Sequence, residues 1–99
     1  MIQTISADDR VLLLALADTS RLRVWARAHM LVGLGSDDEV RVARRQFADL
    51  DNVMFVVGDR TAIPWQQHFF TVIVDADGGE PTPAMLRCLT ENGRIVAGE

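Results

Sequence analysis

Apolar segments of strand length alternate with segments of helical pattern along this chain, and that alternation restricts the fold more than any other feature. The segment VLLLAL, from Val11 to Leu16, is a continuous apolar run, which is typical of a strand buried on both faces of a sheet. Strands separated by helices need crossover connections, which make the sheet parallel and place helices over both of its faces. The sequence therefore predicts a three-layer α/β fold. The other predicted strands are Met30–Leu34, Val53–Val57, Phe70–Asp75 and Arg94–Ala97.

Three helices are predicted from capping residues and apolar faces. Ser36 and Glu39 have the capping-box spacing, which starts the second helix, and Thr82 followed by Pro83 starts the third, which Gly93 ends. Asp18, Thr19 and Ser20 offer N-cap oxygens for the first helix. The predicted apolar faces are Leu22, Trp25, Ala26 and His29 in the first helix, Val40, Ala43, Phe47 and Leu50 in the second, and Met85, Leu86 and Leu89 in the third.

Length and composition exclude several classes of protein. A chain of 99 residues with 48% hydrophobic side chains can form one compact domain, so residues 1–99 are taken as a single domain. The sequence has neither a long apolar run nor a signal-peptide pattern, which predicts a cytoplasmic protein without membrane attachment. The single cysteine, Cys88, excludes an internal disulfide, and it is expected to pack in the core. A net charge of −4 argues against nucleic-acid binding.

The region of the third and fourth strands resembles a known family. In the class I S-adenosylmethionine-dependent methyltransferases, this region often reads "nv-f-v-gDa-lPf" followed by "FD-Vi". The resemblance implies a Rossmann-like sheet of order 3-2-1-4-5, with S-adenosylmethionine as the cofactor. It also implies that full members continue into another helix and two more strands, which are absent here. The matching residues are Asn52, Val53, Phe55, Val57, Gly58, Asp59, Ile63, Pro64 and Phe70.

The cofactor motifs of the family are degenerate in this chain. The resemblance puts Leu13 where the family has an acid that anchors the methionine amino group, and Ala15, Ala17 and Thr19 where it has glycines. Gly35 stands at the position of the acid that binds the ribose hydroxyls, a role that Asp37 or Asp38 could take instead of a capping role. Asp59 matches the acid near the adenine amino group, or it forms a turn. The predicted cofactor-binding residues are Ala15, Ala17, Asp18, Gly35, Asp59, Arg60 and Asp75.

Other polar and aromatic residues have alternative interpretations. Asp75 and Asp77 could suggest a metal, but a solvated loop before two glycines is the favoured interpretation, so no metal site is predicted. His68 could act as a base, although a structural or solvated role is favoured. Trp65 could stack on a ligand, or it could fill the space that a missing ligand leaves. The catalytic residues are unknown.

Three functions are compatible with these observations. The first is a methyltransferase-like domain with weakened or lost cofactor binding that serves as a binding or assembly module. The second is an active minimal methyltransferase that methylates a small molecule, and the third is a fragment or one part of a larger assembly. The fifth strand, with Ile95 and Val96, is expected to be an unprotected edge, and such edges pair with other chains. A homodimer or another protein partner at this edge, or at the neighbouring helix faces, is therefore predicted.

Overall fold

A computed structural model describes residues 5–14, 16, 19–75 and 80–97 of the chain. Strands and helices alternate along these residues in the predicted manner. Within them no helix is long and apolar enough to cross a membrane. In chain order the elements are β1 (Arg10–Leu13), α1 (Leu22–Trp25), β2 (Met30–Gly35), α2 (Asp37–Gln46), β3 (Val53–Val57), β4 (Phe70–Asp75), α3 (Pro83–Cys88) and β5 (Leu89–Ala97).

The five strands form one parallel sheet of order β3-β2-β1-β4-β5, which confirms the predicted fold class and strand order. The central strand β1 is buried on both faces. Val11 and Leu13 pack into a cluster with α1 and α2, whereas Leu12 packs on the other face with α3. This alternation follows from the two-residue period of a strand, and it explains why the first strand has no polar position from Val11 to Leu13.

Helix α2 has the predicted cap and most of the predicted apolar face, but it ends at Gln46, so Leu50, predicted on that face, lies beyond the helix. Glu39 N donates to Ser36 Oγ at 3.2 Å, and Ser36 N donates to Glu39 Oε1 at 2.8 Å, so both bonds of the capping box are formed. Val40 and Ala43 are buried against the sheet, as is Phe47 at the end of the helix. The cap thus fixes the start of α2 directly after the carboxyl end of β2.

The first helix differs from the prediction. It forms a single turn that ends at Trp25, and it begins after Arg21 without a side-chain cap. Its N-cap residue is Arg21 and not the predicted Thr19 or Ser20, and Asp18 lies outside the described residues. His29 was predicted on the apolar face of this helix, but it lies beyond the helix and is exposed. Its backbone N–H donates to the Asp9 carbonyl at 2.9 Å, just before β2 begins.

The boundary between α3 and β5 also differs from the prediction. The helix ends at Cys88, and Leu89, predicted on its apolar face, begins β5 with extended backbone angles. The N–H groups of His68 and Phe69 donate to the carbonyls of Arg87 and Cys88, both at 2.8 Å, so the last helical carbonyls are satisfied by a distant loop. Gly93 therefore lies inside β5, within an irregular stretch where the pairing with β4 shifts register.

Candidate functional site

The carboxyl ends of the central strands border a cleft of about 350 Å³. It lies over the point where the strand order reverses, between β1 and β4, which is where open α/β sheets bind their ligands. We call it the strand-end cleft. Its lining comes from the ends of β2 and β4, the start of α2 and the loops after β1 and β3: Leu14, Leu16, Leu34, Gly35, Ser36, Glu39, Gly58, Asp59, Arg60 and Asp75.

Four of the seven predicted cofactor-binding residues meet in the strand-end cleft. They are Gly35, Asp59, Arg60 and Asp75, which are separated by up to 40 positions in sequence. Ala15, Ala17 and Asp18 lie outside the described residues. The sheet thus gathers the described part of the predicted site at one place, whereas the binding role of each residue stays a prediction.

The space beside Gly35 at the end of β2 is filled by other side chains, which would have to shift to accept an acidic side chain like the one that the family carries there. A Cβ atom at Gly35 would lie 2.8 Å from Glu39 Oε1 and 3.0 Å from Leu16 Cβ. Both distances are shorter than ordinary carbon contacts, so the space beside Gly35 is already occupied. Asp37 and Asp38, the proposed substitutes, are exposed and bind Arg41 at 2.9 and 3.2 Å. Of the acids in the first turn of α2, Glu39 is the one that borders the cleft, and the sequence predicts it only as a capping-box residue.

Asp59 forms the turn after β3. Its Oδ1 accepts hydrogen bonds from Thr61 N at 2.8 Å, from Thr61 Oγ1 at 2.6 Å and from Ala62 N at 3.0 Å. The Thr61 hydroxyl, followed by the two backbone N–H groups, holds the pKa of the Asp59 carboxyl below its usual value because these bonds favour the charged form. Asp59 therefore forms a turn, which is one of the two alternatives given for it, while a role near an adenine stays a prediction. Asp59 also borders the strand-end cleft and is exposed there.

Asp75 and Arg60 form an ion pair at the end of β4. Asp75 is only 3% exposed, and its two carboxylate oxygens lie 3.0 and 3.5 Å from the two terminal guanidinium nitrogens of Arg60. Arg60 also donates to the Glu80 carbonyl at 2.7 Å, and its own carbonyl accepts from the Thr82 hydroxyl. Arg60 therefore connects the end of β4 to the segment that begins α3. A buried carboxylate needs such a partner because its desolvation is costly.

Solved structures of other proteins superpose on this chain, although its sequence matches none of the protein families. No protein-family model and no curated protein matches the sequence. Among solved structures, the YcgJ protein from Bacillus subtilis superposes with a TM-score of 0.76 at 22% identity. A chain of the complex between the Haloferax volcanii Trm112 methyltransferase activator and a methyltransferase gives 0.75 at 22% identity. An S-adenosylmethionine-dependent methyltransferase from Aquifex aeolicus gives 0.71 at 14% identity.

The chain folds like the S-adenosylmethionine-dependent methyltransferases. These superpositions cover 92%, 92% and 88% of this chain, but only 44%, 45% and 54% of the three solved chains, so this chain spans about half of their length. At such low identity the likeness concerns the fold. The methyltransferase fold thus confirms the resemblance seen in the sequence, but a fold does not by itself determine an activity.

The described residues suit only part of S-adenosylmethionine. Leu13, at the place of the acid that anchors the methionine amino group, is fully buried in the core and offers no acceptor to a cation. In the strand-end cleft, by contrast, the carboxylates of Glu39 and Asp59 can accept hydrogen bonds from a nucleoside. The donor and acceptor set therefore fits the adenosine half of the cofactor better than its amino-acid tail.

The remaining sequence candidates that the structure describes lie away from the cleft lining. Trp65 packs against Phe69 and Phe70, with ring centroids 5.7 and 5.9 Å apart, and so contributes to the core. His68 is exposed at a left-handed turn with φ of 53°. Cys88 is fully buried, and burial raises the pKa of its thiol, which suits the predicted packing role. Asp77 lies outside the described residues.

Proposed function

We propose that this protein is a methyltransferase-like domain with weakened S-adenosylmethionine binding that acts by associating with other chains. The observation that carries the proposal is the full burial of Leu13, at the position where the family has an anchoring acid. The missing acid removes a hydrogen bond to the charged amino group of the cofactor. Such a bond contributes about 1.5–3 kcal/mol, so its loss should lower the affinity for S-adenosylmethionine by about 10- to 160-fold. The cytoplasmic location and the single domain over residues 1–99 are further parts of this proposal.

Calorimetric titration with S-adenosylmethionine and S-adenosylhomocysteine tests the weakened binding. We expect dissociation constants in the millimolar range for both ligands. The Leu13→Asp variant is a poor control because its carboxylate would be introduced into the core, so Asp59→Ala serves to show that any heat comes from the strand-end cleft. Micromolar binding that Asp59→Ala abolishes would contradict the proposal and favour an active minimal methyltransferase acting on a small molecule. The meeting of Gly35, Asp59, Arg60 and Asp75 in one cleft is what keeps that alternative open.

The proposed association uses the outer edge of β5. This strand ends the sheet of the described residues, and within it Ile95 is partly buried and Val96 is 8% exposed, so its apolar face is already packed while its outer backbone edge is available for pairing. The Trm112 complex supports the idea in outline, because a chain of this fold there has a protein partner. We propose a homodimer with a sheet continuous through β5, or docking of another protein at the same edge.

Light scattering on the purified chain at high concentration tests the pairing. We expect the mass of a dimer for the parent chain and a lower mass for Val96→Pro, because proline removes a backbone donor from the strand. Val57→Pro, which makes the same change at the end of the opposite edge strand β3, is the matched control and should leave the mass unchanged. Circular dichroism verifies that both variants fold. A parent chain that stays monomeric would refute the homodimer.

A further inference from the structure

The strand-end cleft contains a carboxylate beside the end of β2, although position 35 is glycine. Glu39 Oε1 lies 2.8 Å from where the Cβ atom of residue 35 would stand, so a side chain from position 35 would begin in the space that this carboxylate fills. The end of β2 is also where dinucleotide-binding Rossmann units place the acid that binds ribose hydroxyls. The acidic group is therefore present at this place in space, and it is supplied from α2.

Three features hold the Glu39 carboxylate there. The capping box fixes one oxygen, because Oε1 accepts from Ser36 N at 2.8 Å. Gly35 has no side chain, which leaves room for the carboxylate and for Leu16 beside it. The two acids that precede Glu39 in the same turn bind Arg41 and are exposed, so Glu39 is the acid of this turn that lines the cleft.

The free capacity of this carboxylate suits hydroxyl donors. An ionised carboxylate only accepts hydrogen bonds, and it has about four lone-pair sites, of which the Ser36 N–H uses one. The second oxygen, Oε2, makes no hydrogen bond with the described residues. A ribose presents two adjacent hydroxyl groups, and their bonds to a charged acceptor are among the stronger hydrogen bonds.

We infer that Glu39 binds the ribose hydroxyls of an adenosine-type ligand in the strand-end cleft, replacing an acid at position 35. This inference deepens the proposed function, and it rests on the part of it that places weak S-adenosylmethionine binding in this cleft. The two positions depend on each other, because the Glu39 carboxylate lies where a side chain at position 35 would begin. The residual affinity for cofactor-like ligands then comes from the nucleoside half.

Protein-observed NMR titration with adenosine and with 2′,3′-dideoxyadenosine tests the inference, because it measures dissociation constants in the millimolar range. In Glu39→Gln the amide oxygen can still accept from Ser36 N, whereas the negative charge is lost. We expect this variant to bind adenosine about tenfold more weakly than the parent, with dideoxyadenosine binding unchanged. The matched control is Asp38→Asn, the same change one residue away at an acid that binds Arg41, and it should leave both affinities unchanged.

The outcomes separate this inference from the proposed function. Equal affinities of the parent for the two nucleosides, or an equal loss for both in Glu39→Gln, would overturn the ribose role while leaving weak binding intact. If adenosine does not bind the parent chain even at its solubility limit, the ribose role is overturned as well. If S-adenosylmethionine binds with micromolar affinity and Glu39→Gln weakens only adenosine binding tenfold, the ribose role of Glu39 is supported, whereas the proposal of weakened cofactor binding is contradicted. Thermal unfolding of both variants verifies that the helix cap survives.

Discussion

Removal of the Arg60 guanidinium should destabilise this protein strongly. Arg60 is the ion-pair partner of Asp75, which is only 3% exposed and lies 3.0 Å from the nearest guanidinium nitrogen. In Arg60→Ala the carboxylate stays buried while its counterion is gone, and the bond to the Glu80 carbonyl is lost too. The carboxylate cannot regain its hydration without opening the end of β4.

The size of the effect follows from the burial of the pair. Breaking a buried ion pair by removing one partner costs about 3–5 kcal/mol. Because the Arg60 side chain is 26% exposed, water already reaches part of the pair, and we expect the lower end, about 3 kcal/mol. The total stability of a domain of this size is about 5–15 kcal/mol. At about 4–8 °C per kcal/mol, the midpoint of thermal unfolding should fall by about 12–24 °C.

Urea and thermal unfolding of matched variants measure this loss. Arg41→Ala is the control, because it breaks ion pairs whose side chains are all more than half exposed, and it should cost at most about 1 kcal/mol. The double variant Arg60→Met with Asp75→Leu removes both charges and should recover most of the stability. If Arg60→Ala lowers the free energy of unfolding no more than Arg41→Ala does, the buried ion pair does not stabilise the fold and the expectation is refuted.

Two further predictions concern the rim of the strand-end cleft. Gly35→Ala should lower the free energy of unfolding by about 1–3 kcal/mol, since the new Cβ would lie 3.0 Å from Leu16 Cβ; urea unfolding measures it, and an unchanged stability would contradict the packing described here. Thr61→Val removes the hydroxyl that lowers the pKa of Asp59, so an NMR pH titration should show that pKa rising toward its ordinary value of 3.8. Because the folded-state pKa of Asp59 is depressed, the stabilisation is present above the unfolded-state value of 3.8 and is lost as the pH falls through the folded-state pKa. An unchanged Asp59 pKa in Thr61→Val would refute the assigned cause.

Much of the fold could be predicted because it depends on local signals. The uniform apolar character of Val11–Leu13 indicated a strand covered on both faces, and the crossover rule then gave parallel pairing. The capping box of Ser36 and Glu39 needs only residues three positions apart, so its two hydrogen bonds were predicted correctly. The carboxyl ends of parallel strands meet at one edge, which is why Gly35 and Asp75 converge in the strand-end cleft.

By itself, then, the sequence determined the parallel α/β architecture, the start of α2 and the edge of the sheet at which the candidate site lies, whereas the strand order was implied by the family resemblance. The tertiary structure decided what depends on distant contacts. Helix α3 ends at Cys88 because the loop before β4 donates to its last carbonyls, a bond that no pattern within the helix can reveal. The pairing of Arg60 with Asp75 joins the loop after β3 to the end of β4. The position of the Glu39 carboxylate in the cleft depends on the space that Gly35 leaves beside Leu16. Hydrophobic periodicity specifies which face of an element is buried, whereas the positions of side chains at element ends are set by neighbours far away in the chain.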